Sequence, residues 1–372
     1  MENSNMDANS QVMFFGNSDL FLGGQERPVV TLVLLFYNQE EFAKTSISGA
    51  FSQTYEPLEI IISDDCSSDG TWDAICNMAG SYEGPHRLIA RRNYSNLGPY
   101  SHVLKIASSS RGELIVLAAG DDISKPERVS MLCSAWLATG AWGLDSNYDI
   151  IDQSGSIVKK NTFSSDLRSG NSEFQSYFHG SDSPVEVVHG ATSAYDRRLF
   201  DYVPSSSVPI LSEDGVFTFI LHALGKPVAH LPCSLVCYRR HRGAVSNIDA
   251  KSCSSFRDFL ELLEKDKRYA LNIRNRSILF IEFVGQVSCS NALANLDEIR
   301  RTLFIAELRS EWSSLSITHK IKGLSIAFKQ KKLRYLMPVI LGSHCTALYL
   351  FIKKKLCSYL RALIIKWLPV KP

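Results

Sequence analysis

"LIVLAAGDDISKPERV", from Leu114 to Val129, is the stretch on which the fold turns. An aliphatic run leads into two alanines, a glycine and two adjacent aspartates, with a proline four residues after the second. An apolar run without alternation reads as a strand covered on both faces. A chain that ends such a strand on two negative charges either caps the next helix with them or holds something with them. Ser124, ahead of Lys125 and Pro126, is the better-placed cap for the "SKPERV" helix, which leaves the aspartates for another use.

The same pattern recurs on the N-terminal side. "VVTLVLLF" (29–36), "LEIIIS" (58–63), "HRLIARR" (86–92) and "ELIVLAA" (113–119) read as buried strands, and the segments between them have helical periodicity. Such alternation implies right-handed crossovers and a mainly parallel sheet flanked by helices, an α/β fold. Ligands of these sheets bind beyond the C-terminal strand ends. Asn38, Asp64, Asp65, Asp121 and Asp122 all stand just past such ends, so three strands deliver polar side chains to one rim.

From about Ala141 the pattern is irregular. "YDIIDQSGSIV" reads as a hairpin turning at Ser154-Gly155, and "SEDGVFTFILHALG" as an amphipathic helix opened by acids and closed by Gly225. "CSLVCYRRHRGAVSN" reads as a last strand and a basic loop. Beyond Ser252 the chain is expected to be helical, roughly over 254–271, 273–286 and 291–312.

With 372 residues, 45% of them hydrophobic, the chain can bury one large core or two modest ones. The net charge of +2 hides an asymmetry: no acidic residue follows Glu311, while twelve Lys and Arg do, leaving 28 basic and 38 acidic residues before it. The nine cysteines are odd in number and lack a paired zinc spacing, as expected of reduced thiols in an intracellular protein. Residues 1–27 lack the basic and apolar regions of a signal peptide and are expected to be a polar, disordered leader. The charge-free stretch Leu336–Ile352 is interrupted by Pro338, Gly342, Ser343 and His344, and is short for a bilayer crossing.

No G-x-G-x-x-G follows the first strand, and no P-loop, H-E-x-x-H or G-x-S-x-G is present. What remains is a set of carboxylates. Hard divalent cations favour oxygen ligands and often share them with substrate phosphates.

Five blocks in order, "FYNQEEF", "SQTYEPLEIIISDDCSSDGT", "NLGPYSHVLKIASSSRGELIVLAAGDDISKPERV", "LSEDGVF" and "YRRHRGAVSN", resemble the family 2 glycosyltransferases of GT-A fold. The resemblance covers about 29 to 247. It implies a GT-A domain over 28–250; the remainder, 251–372, lies outside the resemblance and reads from its own pattern as a helical C-terminal region with a basic amphipathic tail. The resemblance also implies an inverting, metal-dependent transfer of a sugar from a nucleotide-diphosphate donor to a saccharide or lipid-linked saccharide, in bacterial cell-surface polysaccharide (O-antigen or capsule) synthesis. By motif, Asp65 would contact the nucleotide base. Asp64 and Asn38 either touch the nucleotide or satisfy their loops. Asp121 would face the donor, and Asp122 would bind the cation, Mn2+ or Mg2+. Asp214 would be the catalytic base, although an ordinary helix-start charge also explains it and Glu213. Arg239, Arg240 and Arg242 would clamp the diphosphate, and His241 would complete the metal shell. Asp69 reads as a turn or cap residue, and His189 as structural or functional alike. The sequence departs from the family in the bulky Leu35 and Phe36 and in "GDD" for D-x-D.

The tail interleaves cations with Leu, Ile, Phe, Tyr and Trp. That suits an anionic membrane surface better than nucleic acid, and places the protein in the cytoplasm at the inner face of the plasma membrane; packing on the catalytic domain is the alternative. Two other readings stay open at this stage: a catalytically silent GT-A scaffold that binds a nucleotide-sugar or glycan, and a nucleotidyltransferase. The latter would want a Gly-rich basic loop after the first strand, which "FYNQEEF" is not.

Overall fold

The computed structural model describes residues 10–15, 27–162, 169–170, 188–241, 255–287 and 296–311, with isolated positions at 315, 316, 318, 320 and 352. The chain divides into two compact units, Met1–His241 with Glu282–Leu296, and Arg242–Ile281 with Asp297–Pro372. The first unit thus ends nine residues short of the expected 250 and takes in a later segment.

The first unit is built on one sheet. Its N-terminal half holds β2 (Val30–Phe36), β3 (Leu58–Asp64), β4 (Arg87–Asn93) and β5 (Leu114–Ala119), alternating with α1 (Glu40–Phe51), α2 (Thr71–Gly80) and α3 (Gly98–Ser109). The strands pair in parallel, in the order β4-β3-β2-β5. Their aliphatic side chains, such as Leu32, Leu34, Ile60, Ile62 and Val116, form one core with Ala43 and Ile47 of α1 and Ile75 of α2. Burial on both faces is what the unalternating runs require.

The second half is mixed rather than parallel. After β6 (Ile123–Ser124) and α4 (Arg128–Thr139) come β7 (Gly143–Ile151), β8 (Ile157–Thr162), β9 (Ser169–Gly170), β10 (Ala194–Asp196), α5 (Glu213–Ala223) and β11 (Val228–Arg239). The three-residue β10 lies between β5 and β7, antiparallel to both, and β11 runs parallel to β7. The hairpin forms as expected, with β8 antiparallel to β7 and Gly155 at φ +91 in its turn.

Three expectations are corrected. Part of the leader is ordered: β1 (Ser10–Phe15) pairs antiparallel with β4, and its Ser10 hydroxyl accepts from the buried Arg91. Helix α5 is not amphipathic, because every residue from Gly215 to Ala223 is buried; its charges sit only in the first turn. Ser124 caps nothing, since it is a strand residue whose Oγ accepts from Arg128 at 2.9 Å, and α4 begins with no side-chain cap.

Helix α6 (Phe256–Val287) is one 32-residue helix where two were expected, because no Gly or Pro interrupts it near residue 272. Helix α7 (Leu296–Glu311) is tied to it by Arg309 and Asp266 at 2.7 Å. Among the described residues no helix is long and apolar enough to cross a membrane. Arg242, nearly all of the basic tail and most of the 163–187 stretch lie outside the described residues.

Candidate active site

The parallel register aligns the C-terminal ends of β2, β3 and β5, with Phe36 opposite Asp64 and Leu35 opposite Ala119, and Asp122 stands just past the last of them. It follows β5, is 3% exposed, and accepts the main-chain N–H of Arg239 on Oδ1 at 2.8 Å. Its Oδ2 is buried and has no hydrogen-bond partner. Burial, then the neighbouring charge of Asp121, hold this carboxyl well above the usual range. An unsatisfied, desolvated carboxylate oxygen is unfavourable unless something is meant to meet it.

Asp121 turns the other way, and its Oδ2 is 2.9 Å from His241 Nε2. The His241 ring packs on Phe42 of α1 at 4.8 Å. His241 is thus hydrogen-bonded to Asp121, next to Asp122 in the chain. Among the described residues no three His, Cys, Asp or Glu side chains gather closely enough to hold a metal by themselves.

Arg239 is placed unlike its expected role as a phosphate clamp. It is 3% exposed; Nε donates to Asp121 O at 2.8 Å, and Nη1 to Asp152 O and Gln153 O at 3.1 and 2.9 Å. Its guanidinium also lies over Phe42 at 4.8 Å. It ties the aspartate loop to the β7–β8 hairpin, whereas Arg240 is exposed.

On the nucleotide side the aspartates are occupied. Asp65 accepts from Asn93 Nδ2, Leu97 N and Gly98 N at 2.8–3.1 Å, which ties its carboxylate to the backbone at the start of α3. Asp64 is fully buried and holds Ser67 and Arg92. Burial raises the Asp64 carboxyl, partly offset by those donors. Asn38 is exposed at φ +53, and its Oδ1 accepts from Ser68 N. Asp69 serves two helix starts, accepting from Glu40 N and Thr71 N. Sequence reasoning passed over Tyr37 and Tyr94, 50% and 63% exposed at the ends of β2 and β4. The signal was available, as an aromatic directly after a buried strand.

On the other side, Asp214 opens α5. Its Oδ2 accepts from Gly190 N at 3.3 Å and its Oδ1 from Gly215 N at 2.7 Å. A side chain at Gly190 would place its Cβ 3.1 Å from Asp214 Oδ2, so glycine is what lets the turn approach. Beside it, burial and then the Asp214 charge push Glu213 up to about 7. His189 donates its main-chain N–H to Asp145 Oδ2 at 3.1 Å, and its ring stacks on Tyr148 at 5.0 Å. Burial lowers its ring's proton affinity.

The profile of the Glycosyl transferase family 2 matches residues 31–203. The UDP-Glc:alpha-D-GlcNAc-diphosphoundecaprenol beta-1,3-glucosyltransferase WfaP of Escherichia coli is 33% identical over 230 residues, which cover 59% of this chain and 80% of that protein. This chain is a family 2 glycosyltransferase. Its sheet is accordingly the α/β sheet of the GT-A fold. An uncharacterized protein of Mycobacterium tuberculosis is 27% identical over 230 residues, 57% of this transferase, and the transferase spans only 59% of that relative's length. The crystal structure of S. aureus TarS 1-349 aligns over 87% of this chain and 88% of that one, at 14% identity and a TM-score of 0.49.

Proposed function

We propose that this glycosyltransferase is inverting and metal-dependent, and moves a sugar from a nucleotide-diphosphate donor to a saccharide on a lipid carrier during cell-surface polysaccharide synthesis. The observation that carries the reading is the buried, partnerless Asp122 Oδ2 at the C-terminal rim of the sheet. The residues fit a hard divalent cation, Mn2+ or Mg2+: Asp122 Oδ2 and an oxygen of Asp121 would hold it, His241 would orient Asp121, and donor phosphates would supply the other ligands. When bound, the cation neutralises charge on the departing diphosphate.

The chain's own residues do the rest. Tyr37 and Tyr94 offer exposed rings against which a base can stack. Asn38, Asp64 and Asp65 form the pocket wall, the two aspartates by fixing the loops at 66–68 and 94–98. Arg240 meets the diphosphate. Asp214 takes the proton of the acceptor hydroxyl as that oxygen attacks the anomeric carbon from the face opposite the diphosphate, inverting it. The lipid carrier is suggested by WfaP, whose name specifies a diphosphoundecaprenol-linked acceptor. Through its basic tail the protein would sit in the cytoplasm on the anionic inner face of the plasma membrane.

The test is a panel of nucleotide-sugars incubated with the purified chain and Mn2+, scored for slow donor hydrolysis. One donor should be consumed, Asp122→Ala should abolish this, and Asp214→Asn should lower turnover by ~10²–10⁴-fold while leaving nucleotide binding intact. If no donor is consumed and no nucleotide binds, the silent-scaffold reading replaces this one.

A further inference from the structure

We propose that Arg128 is a positioning residue that locks the turn presenting Asp214 to the loop presenting Asp121 and Asp122, so that donor and acceptor sides form one rigid frame. The proposal rests on the roles just given to those aspartates. "SKPERV" reads as a solvated helix start, yet Arg128 is 0% exposed. Its guanidinium turns inward and reaches three segments. Nη1 donates to Ser124 Oγ at 2.9 Å; Nη2 donates to Leu117 O at 2.6 Å and to Ala191 O at 3.3 Å.

Leu117 lies on β5 just before the aspartate loop, and Ser124 lies two residues after Asp122, so both ends of that loop are gripped. Ala191 belongs to the Gly190–Thr192 turn. The same turn gives Gly190 N to Asp214 Oδ2, and Ser193 O at its end accepts Leu117 N at 3.0 Å. One planar cation therefore spans metal loop, strand and acceptor turn. Lysine offers no such fork.

The choice of partners is informative. Among the described residues Arg128 forms no ion pair; its hydrogen-bond acceptors are neutral. A contact with Asp122 would occupy the oxygen that the proposed function needs open. Held on carbonyls instead, the guanidinium lends Asp122 a positive charge through space and leaves Oδ2 free. Burying a cation on neutral acceptors is unfavourable where an apolar side chain would pack readily, so its presence points to alignment. In-line displacement needs that alignment, because a 1 Å misplacement lowers rate by about 10²-fold.

The experiment uses the full chain, Mn2+ and the donor found by the panel, with UDP and GDP as binding probes. In Arg128→Lys, nucleotide affinity should stay within about threefold while donor hydrolysis per folded molecule falls tenfold or more, on the order expected for misalignment. In an Asp214→Asn background the same change should lower hydrolysis by less than about twofold, since residues acting as a unit are not additive. Multiplying effects, an unchanged rate, or a loss that only follows the unfolded fraction overturns the proposal. Should Arg128→Lys fail to fold, Ser124→Ala removes one partner and keeps the charge. It should lower hydrolysis a few-fold with the same dependence on Asp214, and unchanged turnover there overturns the proposal equally. A wild-type chain that binds nucleotide but consumes no donor overturns the functional reading, and this inference with it.

Discussion

The fold favours the neutral carboxyl at both Asp122 and Glu213, and each therefore has a measurable signature. Asp122 is raised by burial first and by Asp121 second, so its ionised form weakens the metal-free fold. Asp122→Asn keeps an acceptor for Arg239 N and removes the charge. It should raise the thermal midpoint of the metal-free protein by ~2–4 °C at neutral pH while abolishing metal-dependent hydrolysis, the trade expected of a prepared site. Glu213 is raised from 4.5 to about 7. Because the folded value exceeds the unfolded one, its contribution to stability is whole below pH 4.5 and is lost as pH climbs through 7. Glu213→Gln should flatten the urea midpoint across that window; an unaltered slope would place the titration elsewhere. The sequence made Asp121, Asp122, Asp214 and His241 legible as residues through motif order, but not which oxygen stays open. That depends on partners such as Arg239, 117 positions from Asp122, which local pattern cannot register.

At the scale of elements, strands β2 to β5 were legible because a continuous apolar run has one common explanation, burial on both faces. The short strands β6 and β10, of two and three residues, carry no period to read. Helix α5 was misjudged because its two acids suggest a polar face that the following nine residues do not have. The joint between β11 and the β7–β8 hairpin was also invisible, since a basic run looks solvated whether or not it is. Arg239→Ala tests that joint. It leaves three carbonyls without their donor and uncovers Phe42, and should lower stability by about 3 kcal/mol, the range for breaking a buried charged hydrogen-bond network. Urea unfolding measures the loss, and a change below about 0.5 kcal/mol, the size of a surface substitution, would show the joint to be solvated after all.

At the scale of the whole molecule the charge asymmetry was plain from composition, while its use is a matter for experiment. The full chain should sediment with anionic vesicles at low salt and release at high salt, with each Lys or Arg near the surface contributing ~1 kcal/mol. A chain ending at Ser313 should stay in the supernatant, and equal partition of the two would remove the tail from the account. The N-terminal half shows the limit of composition: a polar leader still supplied a strand, because β4 had an open edge and "SQVMFF" could pair with it. The pairing of β11 with β7 has a wider consequence. Its register shifts between Leu231 and Ser234, and again between Ser234 and Val236, before it settles and delivers Arg239 N to Asp122. The donor of the bond that aims the open oxygen is thus a backbone amide, and at position 239 only proline could delete it by substitution. Side chains around that bond can be exchanged without disturbing its donor, whereas losing a single residue between Leu231 and Val236 would turn that amide to the opposite face. The spacing within β11 is therefore the part of this architecture least free to change.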